Sequence, residues 1–558
     1  MAQPDIPTAS LLGLPSELRN QIYQDYFTVD GGYVYDGDTD KLVQASGKPI
    51  DVSLRLSCRS IALETQDFPF SLNSIKLSTV YRSDWQKQAA YLKAIFWYQN
   101  KLQKCLLLQF RGLMTSDMYD HSNASISQHM SDIEDAITRY RNYYSEDRPF
   151  NALRWLKNTG DDDRLIATWG FEGGAFPFTL AIGRVLRIIA ERYPQEFSAA
   201  MDQVKPGWSS SHSALDFFDL IVLPWSIPSL AEVTAIAEEW QVSEQGDRFL
   251  EWYKKDYVDT SYRGPICQYR QRRYFSAASL AIRFLNQVTK RQRLNIQSLV
   301  INEDRISEPR PESHPIGLIP FCIENANLHI DHRINVWRNF TLRADWPLDK
   351  YALGIVAHGV EYIPSEEEIV EDDYRQHFQV WQSDIQEGFL DWMVHTMDIL
   401  GQGMPPDSYT LTLDGDPDLN HSTKMFSSLL EREIAELTLN SDIVAQGIFS
   451  SPEHPDYPFM TRRSMTEVYP VAKRSSLLQC NFTLDQPWDY KKIVEENGVE
   501  PRSLYPFKLR GNEFKYFDVS TPLVELRDMQ LEFVDREKLM DSTDETMRKY
   551  GDMKIAFL

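Results

Sequence analysis

The chain has 558 residues, of which 42% are hydrophobic, 12% aromatic and 25% charged, a composition that argues against disorder throughout its length. Because a single core stops growing well below this size, the length indicates roughly three or four structural units. The 81 acidic and 58 basic residues give a formal net charge of -23, which repels phosphate backbones and makes nucleic acid an unexpected partner.

The N-terminus and the cysteines favour a cytoplasmic or nuclear protein. No basic residue precedes Arg19, and Pro4 and Pro7 interrupt the apolar core that a signal peptide would need. The five cysteines are far apart and form no Cys-x-x-Cys pair, which favours reduced thiols. The most apolar stretch, 215–230, contains two prolines and is shorter than the ~20 residues that span a bilayer, so we interpret it as a buried connection.

The first predicted helix begins at Pro15 and runs to about Phe27. Proline suits the first helical position, where its missing N–H costs nothing. Apolar residues recur every four positions and therefore share one narrow stripe along the helix. The stripe consists of Leu14, Leu18, Ile22 and Tyr26.

The next segments are predicted from their turn residues and their periodicity. Residues 30–48 contain four glycines and are expected to form a loop or a loose hairpin. A second helix should start with Asp51 as its N-cap and continue to about residue 62, with Pro69 as a stop beyond its end. Apolar and polar residues alternate in 74–79, as in a half-buried strand, and Ser83 should cap a third helix.

Further along the chain the same signals predict a helix-rich α+β fold. Helices are expected at 182–193, 277–288 and 426–437, strands at 299–301 and 409–413, and linkers at 115–127, 309–315, 401–407 and 450–458. The expected units are an N-terminal module with the following strand and helix (1–114), a mainly helical region (115–260), a mixed α/β region (261–450) and a C-terminal α+β region (451–558).

Residues 12–23, Leu-Gly-Leu-Pro-Ser-Glu-Leu-Arg-Asn-Gln-Ile-Tyr, and residues 54–62, Leu-Arg-Leu-Ser-Cys-Arg-Ser-Ile-Ala, resemble the F-box-like N-terminus of a large group of uncharacterised fungal proteins. The strand-like segment 72–79 continues this resemblance. A second similarity to the same group covers residues 275–340, notably 313–325 and 337–339.

The resemblance implies a protein-binding role for the N-terminal module. In F-box proteins the Leu-Pro helix and its successor dock on the Skp-type linker subunit of a cullin ubiquitin ligase. Carried over to this sequence, the contact would involve Leu14, Pro15, Leu18 and Ile22. The sequence departs from the family pattern at residues 28–50, which form a glycine-containing insertion where a classical F-box has a short turn. Periodicity alone leaves a second interpretation open, in which the stripe packs on the rest of the chain.

Residues 261–302 form the segment that departs most from the acidic character of the chain. It contains eight basic residues and no Asp or Glu. One interpretation is a docking surface for an acidic partner or a phosphate group. The interpretation that we favour is pairing with acidic segments of the same chain, such as 361–373, because the net charge supplies many carboxylates. The residues of this candidate patch are Arg270, Arg272, Arg273, Lys290, Arg291 and Arg293, with Arg263 and Arg283 completing the eight.

The sequence predicts no metal site. The Asp-rich segments 36–40 and 414–418 lack the glycine and the bidentate glutamate that an EF-hand loop needs at its later positions. His329 and His332 lie in an expected strand, where their odd spacing would send the two imidazoles to opposite faces.

The sequence also predicts no catalytic site and no cofactor. It contains no Gly-x-Ser-x-Gly elbow, no phosphate-binding loop and no His-Glu-x-x-His helix, and the glycines of 170–174 lack the spacing of a dinucleotide fingerprint. His314 and Cys322 are close in sequence, but the apolar residues between them favour a core segment.

We therefore expect a non-enzymatic, F-box-like adaptor that binds a protein, with a Skp-type linker as the implied partner. A scaffold without a ligase role and an enzyme with a dispersed site are the alternatives. The target protein and the oligomeric state are left open.

Overall fold

The computed structural model describes residues 10–110, 112–115, 118, 176–250, 253–254, 266–340, 379–427 and 477–483, together with short segments between 492 and 540. The expected helix-rich α+β class is confirmed by the helices and by a seven-stranded mixed sheet in these residues.

The helices alternate with the strands along much of the described chain, and short 3-10 helices cover Leu11–Gly13 and Pro311–Leu318. The α-helices are α1 (Ser16–Phe27), α2 (Ser53–Ser57), α3 (Arg59–Glu64), α4 (Phe68–Leu72), α5 (Gln86–Gln109), α6 (Phe176–Arg192), α7 (Pro194–Val204), α8 (Trp208–Ser211), α9 (Asp216–Asp219), α10 (Leu230–Glu239), α11 (Ser243–Arg248), α12 (Ala277–Gln287), α13 (Lys290–Asn295), α14 (Ile319–Glu324), α15 (Val336–Phe340) and α16 (Gln382–Gly401).

No described helix has the length and apolar character needed to cross a membrane. The described strands form one large sheet and three small ones. The strands are β1 (Tyr33–Asp36), β2 (Lys41–Gln44), β3 (Ile75–Ser78), β4 (Tyr253–Lys254), β5 (Ile266–Gln271), β6 (Ser298–Glu303), β7 (His329–Asn335), β8 (Gln379–Trp381), β9 (Tyr409–Asp414), β10 (Leu478–Cys480), β11 (Val499–Glu500), β12 (Lys508–Leu509), β13 (Tyr516–Asp518) and β14 (Val534–Met540).

The large sheet has the strand order β10-β9-β7-β6-β3-β1-β2, and every neighbouring pair is parallel except the β1–β2 hairpin. The six parallel strands therefore lie side by side in the order in which they occur along the chain. Connections of the usual right hand then all fall on one face of the sheet. Helix α12 lies on that face, in contact with β3 and β6.

Burial alternates along the strands as this arrangement requires. Leu77, Ile301, His332 and Leu411 are cross-strand neighbours in register and are all fully buried under the helices. The residues between them point to the opposite face and are mostly half-buried or exposed. One face of the sheet is thus the core, and the other carries mostly polar, partly exposed side chains.

The predicted strands at 74–79, 299–301 and 409–413 are confirmed as β3, β6 and β9, and the predicted helices at 182–193 and 277–288 are confirmed as α6 and α12. The segment expected to be a loop or loose hairpin is a hairpin, and β1 enters the large sheet beside β3. The helix expected after Ser83 is α5.

The prediction of one helix from Asp51 to about residue 62 was wrong. Cys58 is extended, with φ -160° and ψ 162°, and this residue separates α2 from α3. The Oγ of Ser57 donates to the carbonyl oxygen of Leu54 at 2.6 Å, which helps to end the first turn. Pro69 does not stop a helix but lies in the first turn of α4, a position that proline favours.

The prediction of a linker at 309–315 was also wrong. This segment enters the 3-10 helix Pro311–Leu318, in which Ser313 and His314 are fully buried. The imidazole hydrogen bonds that hold this turn inside the core, described below, have no local sequence signal. Residues 401–407 do connect α16 to β9, whereas most of 115–127, 428–437 and 450–458 lie outside the described residues, as do 170–174.

The large sheet takes strands from three of the expected units. Strands β1 and β3 come from 1–114, β6, β7 and β9 from 261–450, and β10 from 451–558. Most of the described buried hydrophobic residues between Tyr33 and Phe533 form one connected cluster. A separate small cluster belongs to the N-terminal helices and is built on Tyr23, Phe27 and Ile61.

Candidate protein-interaction surface

Helix α1 has two different apolar sides. Tyr23 and Phe27 are buried and pack against Ile61 of α3, with Phe68 of α4 at their edge. The ring centroids of Tyr23 and Phe68 are 5.9 Å apart in an edge-to-face arrangement, which is favourable for aromatic pairs. The side of α1 that faces its own module is therefore the Tyr23–Phe27 side, and not the predicted stripe.

An ion pair fixes α1 against α3. The guanidinium of Arg19 donates from Nε and Nη2 to the two carboxylate oxygens of Glu64, each at 3.0 Å, and the hydroxyl of Tyr23 donates to Oε2 at 2.9 Å. These hydrogen bonds, with that from Arg19 the strongest, lower the pKa of Glu64, whereas burial is the main cause that raises the pKa of Tyr23. The two-pronged geometry fixes the orientation of the helix.

The predicted stripe lies on the solvent side of α1. Leu18 is 49% exposed, Ile22 40% and Tyr26 37%, while Leu14 is half-buried and Pro15 is exposed. The four predicted contact residues thus lie together at the start and along one side of the helix, where another molecule can reach them.

Exposed apolar side chains are concentrated in this module. Of the 15 large hydrophobic residues that are exposed in the described chain, seven lie between residues 12 and 63. Such a concentration is typical of a protein-interaction site, because single exposed apolar residues are otherwise scattered. Leu56, which is 80% exposed, lies on α2, and the backbone N–H of Leu54 donates to the hydroxyl of Tyr26 at 3.3 Å, so this helix adjoins the stripe. The seven are Leu12, Leu18, Ile22, Tyr26, Val52, Leu56 and Leu63.

The module is held firmly against the large sheet. The amide of Asn73, just before β3, donates to the carbonyl oxygens of Phe27 at 2.8 Å and Pro69 at 3.0 Å, and its Oδ1 accepts from Val29 N at 2.8 Å. The end of α1 is therefore fixed to the start of a strand, and a partner would meet a preorganised helix.

The described basic residues of the candidate patch are paired with carboxylates of the same chain. This agrees with the interpretation that we favoured because of the large excess of acidic residues. The acids come from positions far away in the sequence, whereas Arg263 and the acidic segment 361–373 lie outside the described residues. The pairs are Arg270–Asp535 (3.1 Å), Arg272–Asp535 (2.7 Å), Arg273–Glu308 (2.9 Å), Arg283–Asp40 (2.5 Å), Lys290–Glu324 (3.7 Å), Arg291–Asp67 (2.9 Å) and Arg293–Glu324 (2.7 Å).

A buried polar cluster lies between the sheet and α12. The Nδ1 of His314 is 2.5 Å from the Oγ of Ser276 and 3.0 Å from that of Ser279, and its Nε2 is 2.7 Å from the carbonyl oxygen of Pro309. Burial lowers the pKa of His314 to about 4. The imidazole is thus neutral at physiological pH and can donate one hydrogen bond and accept another.

A second part of the cluster is centred on Glu303 at the end of β6. Its carboxylate accepts from the backbone N–H groups of Ala277 and Ala278 at 3.1 and 3.0 Å, where the positive end of α12 favours an anion. The Nε2 of His332 lies 3.4 Å from Glu303 Oε1, and its Nδ1 is 2.8 Å from the hydroxyl of Tyr409, whose pKa burial raises well above 10.

Shifted, converging groups of this kind also occur in active sites, but these side chains are almost wholly buried. His314 and Cys322 do not pair, because the imidazole bonds to the two serines and burial raises the pKa of the thiol to about 11. We therefore assign the cluster to the core network that joins α12 to the sheet. No sequence motif predicted this cluster, although the glutamate Glu303 at an inward position of a strand is an indication of a buried polar site.

The Asp-rich segments serve as turns. Asp36 accepts from the backbone N–H of Asp38 at 3.0 Å, and Asp414 accepts from that of Asp416 at 3.1 Å. His329 and His332 lie on opposite faces of β7, as predicted, with only the first exposed. No group of three or more potential metal ligands occurs within the part of the chain that the structure describes.

Comparison with protein-family models, with curated proteins and with solved structures gives no match for this chain.

Proposed function

We propose that the chain is an F-box-like adaptor whose N-terminal module docks on a Skp-type linker subunit of a cullin ubiquitin ligase. The resemblance of residues 12–23 and 54–62 suggests the partner. The single observation that carries the proposal is the exposure of Leu18 and Ile22 on a helix whose other side already has its own core. An apolar stripe that is left in solvent on a rigid helix suits burial against a second protein.

The binding mode that fits this surface is a helix presented to an apolar groove. Leu18, Ile22 and Tyr26 are spaced four residues apart on α1, which gives a ridge about 12 Å long at 1.5 Å per residue, and Leu14 extends it just before the helix begins. Pro15 at the start of the ridge is exposed and stiffens the entry to the helix. We place the adaptor in the cytoplasm or the nucleus.

The test is co-purification of the linker subunit with the full-length chain, compared between two charge-matched variants. Leu18→Asp with Ile22→Asp puts two carboxylates on the ridge and should abolish co-purification, because buried unpaired charges in an interface are costly. The control is Asn20→Asp with Gln24→Asp, which adds the same charges at the same spacing on exposed polar positions of α1.

Retention of the linker by the control and its loss from the ridge variant would support the proposal. Equal retention by both variants, or no linker with the unmodified chain, would contradict it. Circular dichroism of both variants separates loss of docking from loss of folding.

A further inference from the structure

The insertion 28–50 connects the module helices α1–α4 to the large sheet. The chain leaves the module at the end of α1, forms the β1–β2 hairpin in the sheet and returns to the module at α2. It then passes to the sheet once more, from α4 to β3. Module and sheet are therefore joined by three crossings of the chain, at 28–32, 45–52 and 73–74. Units that move independently are instead joined by linkers that few contacts cross.

The three crossings are hydrogen bonded to one another. The backbone N–H of Tyr33 donates to the carbonyl oxygen of Ser74 at 2.9 Å, which joins the first crossing to the third. The backbone N–H of Ala45 donates to the carbonyl oxygen of Gly32 at 3.0 Å, which joins the second crossing to the first. No crossing can therefore bend without disturbing another.

The first crossing and Ser74 are so close that residue 32 has to be glycine. The backbone of Gly32 has φ 72°, which side chains disfavour, and a Cβ on this residue would lie 2.4 Å from the carbonyl oxygen of Ser74. The distance is shorter than any normal contact between these atoms. A larger residue at position 32 would push the two crossings apart.

The insertion belongs to the large core, and not to the small cluster of the module. Tyr33 is buried in the large cluster, and Val29 and Ile50 pack against it. At the far end of the hairpin, Asp40 accepts a hydrogen bond from Nη1 of Arg283 on α12 at 2.7 Å. Rotation of the module against the sheet would expose these apolar side chains, which costs free energy.

We propose that the insertion 28–50 is a clamp that holds the ridge of α1 in one fixed orientation relative to the large sheet. A hinge needs a few residues that can absorb large changes of φ and ψ. Here such changes would break hydrogen bonds between crossings and remove apolar side chains from the core. A protein bound at the ridge is thus held at a constant distance from the sheet. The clamp is a property of the chain alone and does not depend on linker docking.

The test measures the distance distribution between two spin labels on the full-length chain by double electron–electron resonance. Gln24 on α1 and Gln287 on α12 are both exposed and suit labelling. Attachment through unnatural amino acids leaves the five native cysteines unchanged. The expected result is a single narrow peak whose width is that of the labels themselves.

Two glycine variants show whether the clamp is the cause. Gly32→Val should broaden the peak about twofold, because the valine side chain has to separate the first crossing from Ser74. Gly47→Val is the matched control. The φ of Gly47, 78°, is equally unfavourable for valine, but a Cβ there meets no described atom within 4 Å, so the peak should stay narrow.

A broad or two-peaked distribution in the unmodified chain overturns the proposal, whatever the variants show. Equal widths for Gly32→Val and Gly47→Val also overturn it, since the contact with Ser74 would then not matter. Circular dichroism checks folding, and Gly32→Ala makes the same contact with less strain if the valine variant does not fold. The ridge variant Leu18→Asp with Ile22→Asp should keep the narrow peak, so the clamp and linker docking can fail independently.

Discussion

The N-terminal module and the centre of the large sheet depart from the usual distribution of side chains in opposite ways. The module leaves Leu18 and Ile22 in solvent, whereas the sheet buries Glu303, His314 and His332 completely. Neither an exposed apolar side chain nor a buried ionisable one stabilises the fold by its placement alone. Each therefore needs a specific explanation. The first departure is the surface that the proposed docking would cover, and the second is largely compensated by hydrogen bonds inside the chain.

The function of either region can be inferred only when the burial of its side chains is considered together with their chemistry. The titratable groups that look most like a catalytic site are the least accessible in the described chain, and each has an internal contact that explains its position. Leu18 and Ile22 of the apolar ridge are exposed and belong to neither of the two buried clusters. Binding is therefore better supported at the module than catalysis at the sheet.

The largest effect should come from removing the buried anion at the end of β6. Glu303→Ala leaves the N–H groups of Ala277 and Ala278 without their acceptor and His332 without its neighbour, which should lower the free energy of unfolding by about 5 kcal/mol. Urea unfolding measures this change.

Glu244→Ala is the control for this experiment, because Glu244 is an exposed carboxylate on α11 that pairs with Arg248, one turn away. No measurable loss is expected there. A similar, small loss in both variants would show that the cluster is not what fastens α12 to the sheet.

A smaller effect is expected in the module, and it separates the two sides of α1. Phe27→Ala removes a buried ring from a small cluster and should cost about 3 kcal/mol, seen as earlier unfolding of the N-terminal helices in urea. Hydrogen exchange of α1 amides would locate the loss.

Leu18→Ala is the matched truncation on the other side of the helix. It should change stability by less than about 0.5 kcal/mol, because that side chain is already half in solvent. If Leu18→Ala destabilised the module as much as Phe27→Ala does, the ridge would be part of the fold, and its availability to a partner would no longer follow.

The local elements could largely be predicted, since their signals lie in neighbouring residues. The alternation of Ile75 and Leu77 predicted a strand, and the spacing of Leu14, Leu18 and Ile22 predicted α1 and its apolar stripe, but not whether that stripe is exposed. The sheet order could not be predicted, because each parallel pairing joins segments separated by long connections. The extended Cys58 and the buried turn at His314 were missed because their causes are likewise tertiary.

The site was predictable only in part for the same reason. Periodicity identified the ridge but not the side of α1 that would pack, because Arg19 and Tyr23 carry polar groups that need Glu64, 45 and 41 residues away, before they can be buried. The excess of basic residues in 261–302 was visible, yet the acids that pair with it, such as Asp535, are remote in sequence.

The pH dependence of stability should distinguish the sheet cluster from the module. Burial, with the nearby charge of His332 adding to it, lowers the pKa of His314 to about 4, although its hydrogen bond to Pro309 and the charges of Glu303 and Glu312 oppose that shift. The folded protein therefore takes up this proton only near pH 4, whereas the unfolded chain takes it up near pH 6.5. The contribution of the neutral His314 imidazole to the free energy of unfolding is therefore complete above about pH 6.5. It decreases by about 3 kcal/mol as the pH drops to about 4.

His314→Gln should remove that part of the pH dependence while lowering stability at pH 7, because an amide cannot reproduce both ring hydrogen bonds. His329→Gln is the control, because His329 lies on the exposed face of β7 and its replacement removes a histidine that is not part of the buried cluster. Unfolding free energies between pH 4.5 and pH 7 are the measurement, compared among the three proteins. If the His314→Gln profile had the same slope as the unmodified chain, the cluster would not be the sealed, neutral network that sets it apart from the ridge.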